Sequence, residues 1–127
     1  MSKKIVFTEN APKPVGPYSQ AVISGDFVFV SGQIPIDTKT SKVVDGGIEA
    51  QTVQVLENLK NILESINLTL NDVVKTSVFL SSFSDFQSFN QVYSKYFEKN
   101  PPARTTVQAG LMAGVLLEID AIAKKSS

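Results

Sequence analysis

The chain contains no cysteine, no histidine and no tryptophan. Without them there is no thiol nucleophile, disulfide framework or Ser-His-Asp triad, and no imidazole or thiolate metal site. Arginine is nearly missing as well: of 12 basic residues only Arg104 is an arginine. No apolar run reaches the roughly 18 residues of a membrane-spanning helix, and MSKKIVFTEN lacks the apolar core of a secretory leader. The expectation is a cytoplasmic protein with no membrane partner. A basic surplus is lacking too. The formal net charge is zero, and Lys3, Lys4, Lys124 and Lys125 sit at the ends, so eight bases face twelve acids in the interior of the sequence. That balance argues against a nucleic-acid surface. No Gly-rich phosphate loop occurs. Chemistry is left to carboxylates, hydroxyls, lysine, one arginine, tyrosine and backbone amides, on a chain whose 127 residues suit a single domain, 1–127.

What is present reads as alternating strands and helices. Ile5 to Phe7 predicts a short strand before a loop in which Pro12, Pro14, Gly16 and Pro17 forbid regular structure. Ala21 to Ile23 and Phe27 to Gly32 flank Ser24-Gly25-Asp26 and predict a β-hairpin. Pro35 to Gly47 reads as irregular. From Ile48 the period becomes helical, with Thr52, Leu56, Leu59, Leu63 and Ile66 on one stripe, widened by Val53, Val55 and Ile62, and Asn67 as a left-handed stop. Val73 to Leu80 predicts a strand with Val74, Thr76, Val78 and Leu80 on one face. Ser84 and Gln87 have the spacing of a capping box opening a second helix, whose stripe of Phe86, Phe89, Tyr93 and Tyr96/Phe97 reads as core packing. Pro101-Pro102 ends that helix, and Ala103 to Val107 and Leu116 to Ala123 give two more strands. Two helices cover one face of a sheet of about six strands. The other face is too apolar to stay wet, which predicts a homo-oligomer.

Four places interrupt this pattern. Glu118 lies in a strand that reads as buried on both faces, where a carboxylate is either functional with a raised pKa or a solvated edge residue. Asp120 shares its face, as a second member of a carboxylate pair or as an exposed rim acid. Arg104 opens a strand, where it either points into a cleft or forms a surface ion pair. Ser31-Gly32 ends a strand as a close-approach point for a ligand or as a plain turn, and Tyr18 sits in a proline-stiffened loop as a ligand contact or an ordinary turn residue.

Taken together, Gly16-Pro17-Tyr18-Ser19-Gln20-Ala21, Val30-Ser31-Gly32-Gln33-Ile34-Pro35, Phe89-Asn90-Gln91-Val92-Tyr93 with Tyr96-Phe97, Pro102-Ala103-Arg104-Thr105, and Glu118-Ile119-Asp120-Ala121-Ile122-Ala123 strongly resemble the RidA/YjgF family of enamine/imine deaminases. The resemblance spans about Lys4 to Lys124. It implies an α+β, chorismate-mutase-like (YjgF-like) fold, a six-stranded mixed sheet with two helices on one face. It also implies a homotrimer with ligand sites between subunits. The implied activity is hydrolysis of 2-aminoacrylate and related 2-imino acids to 2-keto acids and ammonium, with no cofactor and no metal. By the same resemblance Arg104 grips the substrate carboxylate and Glu118 is the acid near the reacting carbon. Tyr18, Ser31 and the Gly32 backbone complete the wall, and Asn90 lies near the cleft. Two positions depart from the family pattern: Thr106 stands where many members carry Cys, and Leu111-Met112 where many carry Leu-Pro.

An imine needs only to be held, protonated and supplied with water, so this short inventory suffices. Two other readings remain open from sequence: a carboxylate-binding module without turnover, and an RNA-directed role.

Overall fold

The computed structural model describes residues 3–125. A six-stranded mixed sheet is built from β1 (Lys4–Val6), β2 (Ala21–Ser24), β3 (Phe27–Gln33), β6 (Val73–Leu80), β7 (Ala103–Gln108) and β8 (Leu117–Lys124) in the spatial order β1-β2-β3-β8-β6-β7. Only β6 and β7 run parallel, joined by the second helix as a crossover unit. Helices α1 (Gly47–Glu64) and α2 (Phe86–Tyr96) lie on one face of the sheet. The expected α+β fold, a mixed sheet with two helices, is therefore present. Inside the stretch that reads as irregular, β4 (Ile36–Asp37) and β5 (Lys42–Val43) form a separate small hairpin. Two residues per strand is too short for period two to show in sequence.

The core lies between helices and sheet. Val28 and Val30 of β3, Val78 and Leu80 of β6, and Leu117, Ile119, Ala121 and Ala123 of β8 are buried against Val55, Leu56, Leu59, Ile62 and Leu63 of α1 and Phe89 of α2. Asn67 ends α1 as expected, at φ 64°. Its N–H reaches Glu64 O, and the Leu68 N–H reaches back to Leu63 O, the paired bonds of a Schellman motif. The β2–β3 turn tightens to Gly25-Asp26, with Ser24 paired to Phe27 and Gly25 at φ 61°.

Four local expectations are corrected. Val74 does not share a face with Thr76, because β6 bulges between Val73 and Lys75 and turns Val74 out to solvent. Val53 is exposed on α1, on the edge of the stripe away from the sheet. Ser84 caps no α-helix. It lies within a 3₁₀ turn, Phe83–Asp85, capped by Ser82, and its hydroxyl is spent on Ser82 Oγ at 2.7 Å. And β8 is not buried on both faces: Leu117, Ile119, Ala121 and Ala123 face the helices, while Glu118, Asp120 and Ile122 face the other side, half-buried.

On that helix-free side the strand register lines up Ile5, Val22, Phe29 and Ile122 across four strands. Ile5 is 58% exposed and Phe29 45%, so the row is an uncovered apolar band. Buried amides pin the loops around the sheet ends. Gln20 donates to Thr8 O, Ala11 O and Pro12 O while its Oε1 accepts from the Thr8 N–H. Gln51 bridges Val44 O, Gly114 O and the Leu116 N–H, tying the segments before α1 and before β8 to that helix.

Candidate functional site

The sequence-predicted residues fall into two clusters on opposite faces of the sheet. In the first, parallel pairing sets Arg104 beside Thr76 and Thr106 beside Val78, so both β7 side chains lie on the helix face of the sheet. The Arg104 guanidinium sits over three α2 rings, with its central carbon 4.8 Å from the Tyr93 centroid, 5.6 Å from Phe89 and 5.7 Å from Phe86. Its Nη1 donates to Asn90 Oδ1 at 2.8 Å. Among the described residues no carboxylate lies within ion-pair distance of it, so the surface salt bridge that sequence left open does not form. Arg104, Asn90 and Tyr93 line an open cavity of about 650 Å³ together with Phe97, Pro101 and Pro102. Thr106 Oγ1, further along the same face, is buried without a hydrogen-bond partner among the described residues.

The second cluster is Glu118, Gly32, Ser31 and Tyr18. Between Val30 and Gln33, β3 carries an extra residue relative to β8, a bulge centred on Ser31-Gly32. Gly32 is required there by close approach: a Cβ would collide with Glu118 Oε2 and come within 2.9 Å of its carboxyl carbon. The carboxylate lies against bare backbone. Ser31 holds the proline loop to the bulge, its Oγ donating to Ser19 O at 2.6 Å and its N–H to Gln20 O at 2.9 Å. Tyr18 is half-exposed, its hydroxyl accepting from the Val15 N–H, and it shares a small cavity with Gly32 and Gln33. Burial, and secondarily the Asp120 carboxylate, push the Glu118 carboxyl above its ordinary range. Asp120 thus joins Glu118 as a charge neighbour on one face.

Arg104 and Glu118 do not meet. β7 and β8 flank β6 on either side, Arg104 opposite Thr76 on the helix face and Glu118 opposite Phe79 on the other. Met112, in the connection before β8, is 65% exposed. The residues that sequence reasoning assigned only to the core are Phe86, Phe89 and Tyr93, which also hold the guanidinium. Their stripe was visible; their neighbour depends on the parallel register of β6 and β7 and was not. Among the described residues no helix is long and apolar enough to cross a membrane, and no group of three acidic side chains could hold a metal ion.

A family model described as Endoribonuclease L-PSP matches residues 8–125. A RutC family protein of Saccharolobus solfataricus is 56% identical, over 98% of this chain and 99% of its own length. Reactive Intermediate Deaminase A, chloroplastic, of Arabidopsis thaliana is 41% identical over 97% of this chain and 66% of its own length. Among solved structures, E. coli TdcF with bound serine superposes with a TM-score of 0.92 at 38% identity, covering 97% of this chain and 99% of that one.

Proposed function

Because the chain belongs to the Endoribonuclease L-PSP family, the YjgF/RidA group, we propose that it is a cofactor-independent deaminase of small 2-imino acids. The reaction is hydrolysis: water oxygen bonds to the imine carbon, the carbon–nitrogen bond breaks, and a 2-keto acid and ammonium leave. 2-Aminoacrylate enters after tautomerising to 2-iminopropanoate, and 2-iminobutanoate reacts alike.

The observation that carries this reading is the pairing of functions in the two clusters. Arg104 is a part-buried guanidinium with no anionic partner, whose Nε and Nη2 are free to take a carboxylate in the two-pronged geometry that lysine cannot supply. Glu118 is a carboxyl whose pKa burial raises, set against an open backbone at Gly32, suited to orienting or deprotonating water. Tyr18, Ser31 and Gly32 form the polar wall beside it, and Asn90 and Thr106 complete the arginine side. A serine-bound relative supports an amino-acid-like ligand.

One substrate cannot touch Arg104 and Glu118 of the same protomer, since they lie on opposite faces of one sheet. We therefore propose a homotrimer in which the β7 edge of one protomer closes over the Glu118 face of the next. The uncovered row of Ile5, Val22, Phe29 and Ile122 supports this, being apolar surface that association would bury. A carboxylate-binding module would need Arg104 and not Glu118. An RNA-directed role is opposed by the single arginine and the acidic interior balance.

The test couples an amino-acid oxidase, which generates the imine, to trapping of the surviving imine, with and without the protein. Accelerated loss of trappable imine is expected, with Arg104→Lys raising KM by ~10-fold or more as the fork is lost. An unchanged rate with the wild-type protein ends the enzyme reading.

A further inference from the structure

We propose that Phe86, Phe89 and Tyr93 of α2 are positioning residues for Arg104, an aromatic cradle that holds the guanidinium unpaired and aimed at a carboxylate. This deepens the proposed function and rests on its reading of Arg104 as the substrate anchor.

Ordinary packing would place an aliphatic side chain between α2 and β7, as Val78 and Leu80 do one strand inward. The chain instead places its only arginine there, over three ring faces within 6 Å of its central carbon. Ring faces attract a cation without neutralising it, and guanidinium planes stack on them, so the cradle compensates part of the desolvation without consuming the charge. A carboxylate partner would compensate it too, but would occupy the fork. Asn90 takes one Nη1 hydrogen with a neutral amide oxygen, which fixes rotation about the guanidinium plane while leaving Nε and Nη2 without an acceptor among the described residues.

The cradle is itself held. Tyr93 shares a 2.7 Å hydrogen bond with the buried Thr76, the residue paired with Arg104 across the strands. Its ring lies 5.3 Å from Phe89 and 4.7 Å from Phe97, and Phe86 is braced by Phe83 at 6.3 Å and Phe89 at 6.4 Å. Five rings in succession and one buried hydrogen bond fix where the guanidinium lies before any ligand arrives. Arginine carries a large rotamer entropy, and ordering it in advance removes that cost from binding. Phe86, Phe89 and Tyr93 thus act on affinity through Arg104, without touching the reacting carbon.

The single arginine makes the test direct, because the ¹⁵N-labelled full chain has one guanidinium signal set. Expected for the wild type are Arg104 resonances displaced by ring currents, slow Nη rotation, and a shift on titration with pyruvate. Phe86 is only partly buried, so Phe86→Leu is expected to fold. It should speed Nη rotation, weaken pyruvate binding by ~5-fold, and raise KM more than it changes kcat, with Phe86→Tyr restoring all three. Asn90→Asp should pair the guanidinium and weaken pyruvate binding by ~10-fold or more. Equal pyruvate affinity in wild type and Phe86→Leu overturns the cradle and leaves the deaminase reading standing. An Arg104 signal that does not move with pyruvate overturns the cradle and the assignment of Arg104 as the carboxylate anchor. Pyruvate binding that depends on Phe86, in a protein that hydrolyses no imine, keeps the cradle and removes the deaminase.

Discussion

On the helix-covered face of the sheet, the buried side-chain polar atoms of the described residues have partners, with Thr106 Oγ1 as the exception, and apolar side chains are enclosed by α1 and α2. On the opposite face, Phe27, Phe29, Ile5 and Val107 stay more than 40% exposed beside the Glu118–Asp120 pair. The same six strands serve both. One face is a finished core that supplies stability within a protomer; the other carries a band of apolar side chains with nothing laid on it. Arg104 belongs to the first and takes its order from packing, whereas Glu118 belongs to the second and owes its raised pKa to partial burial that a neighbouring surface would deepen.

Making the bare face polar should have the largest effect. Phe29→Asp puts a charge in the middle of the apolar row. In the proposed trimer it should leave the circular dichroism of the protomer unchanged, sediment as a monomer, and lose turnover altogether. Sedimentation identical to wild type would mean this face is not the interface. Glu118→Gln keeps the shape against Gly32 and removes the base. Turnover should fall ~10²-fold or more while the affinity for pyruvate stays near the wild-type value, and parent-rate hydrolysis by a folded variant would reduce Glu118 to a tolerated strand acid.

The smallest effect is electrostatic and sharpens the contrast. Burial first, and Asp120 second, raise the Glu118 pKa above the ordinary 4.5. The folded chain therefore holds that proton more tightly than the unfolded chain. Its contribution to stability is full below the unfolded pKa and is lost as pH rises through the folded one. Asp120→Asn should move the Glu118 carboxyl titration, followed by NMR, to lower pH and shrink the stability lost above about pH 4.5. A titration that does not move would leave burial as the sole cause.

What sequence shows and hides follows the range of the interactions. The α1 stripe, the Gly25 turn and the Asn67 stop depend on residues within five of one another, and each forms where the sequence puts it, apart from Val53 at the stripe's edge and Ser24, which pairs instead of turning. Val74 fails because a bulge shifts a strand's facing by one residue, and no composition marks that shift. Ser84 fails because Ser82, two residues earlier, competes for the same capping role. Glu118 is legible as an interruption, but its face is not: Ile119, Ala121 and Ala123 are apolar because of the helices, Ile122 because of the bare face, and sequence shows only their sum. For the site, the motif blocks draw attention to Arg104, Asn90, Gly32 and Glu118. That two of them lie on one face and two on the other requires the pairings of β6 with both neighbours.

The sheet order carries a consequence for how the chain is made. β8 is the last strand in sequence and lies between β3 and β6, hydrogen-bonded to both. Until it is synthesised, β1-β2-β3 and β6-β7 are two separate ribbons, with β3 and β6 each presenting an unpaired edge and a row of valines meant for the core. The nascent chain must therefore wait in halves, its long-range pairing deferred to the final strand, and that interval is when open edges invite pairing with the wrong chain. Any message cut short before Leu117 yields a polypeptide with most of the core residues and no strand to join its two ribbons.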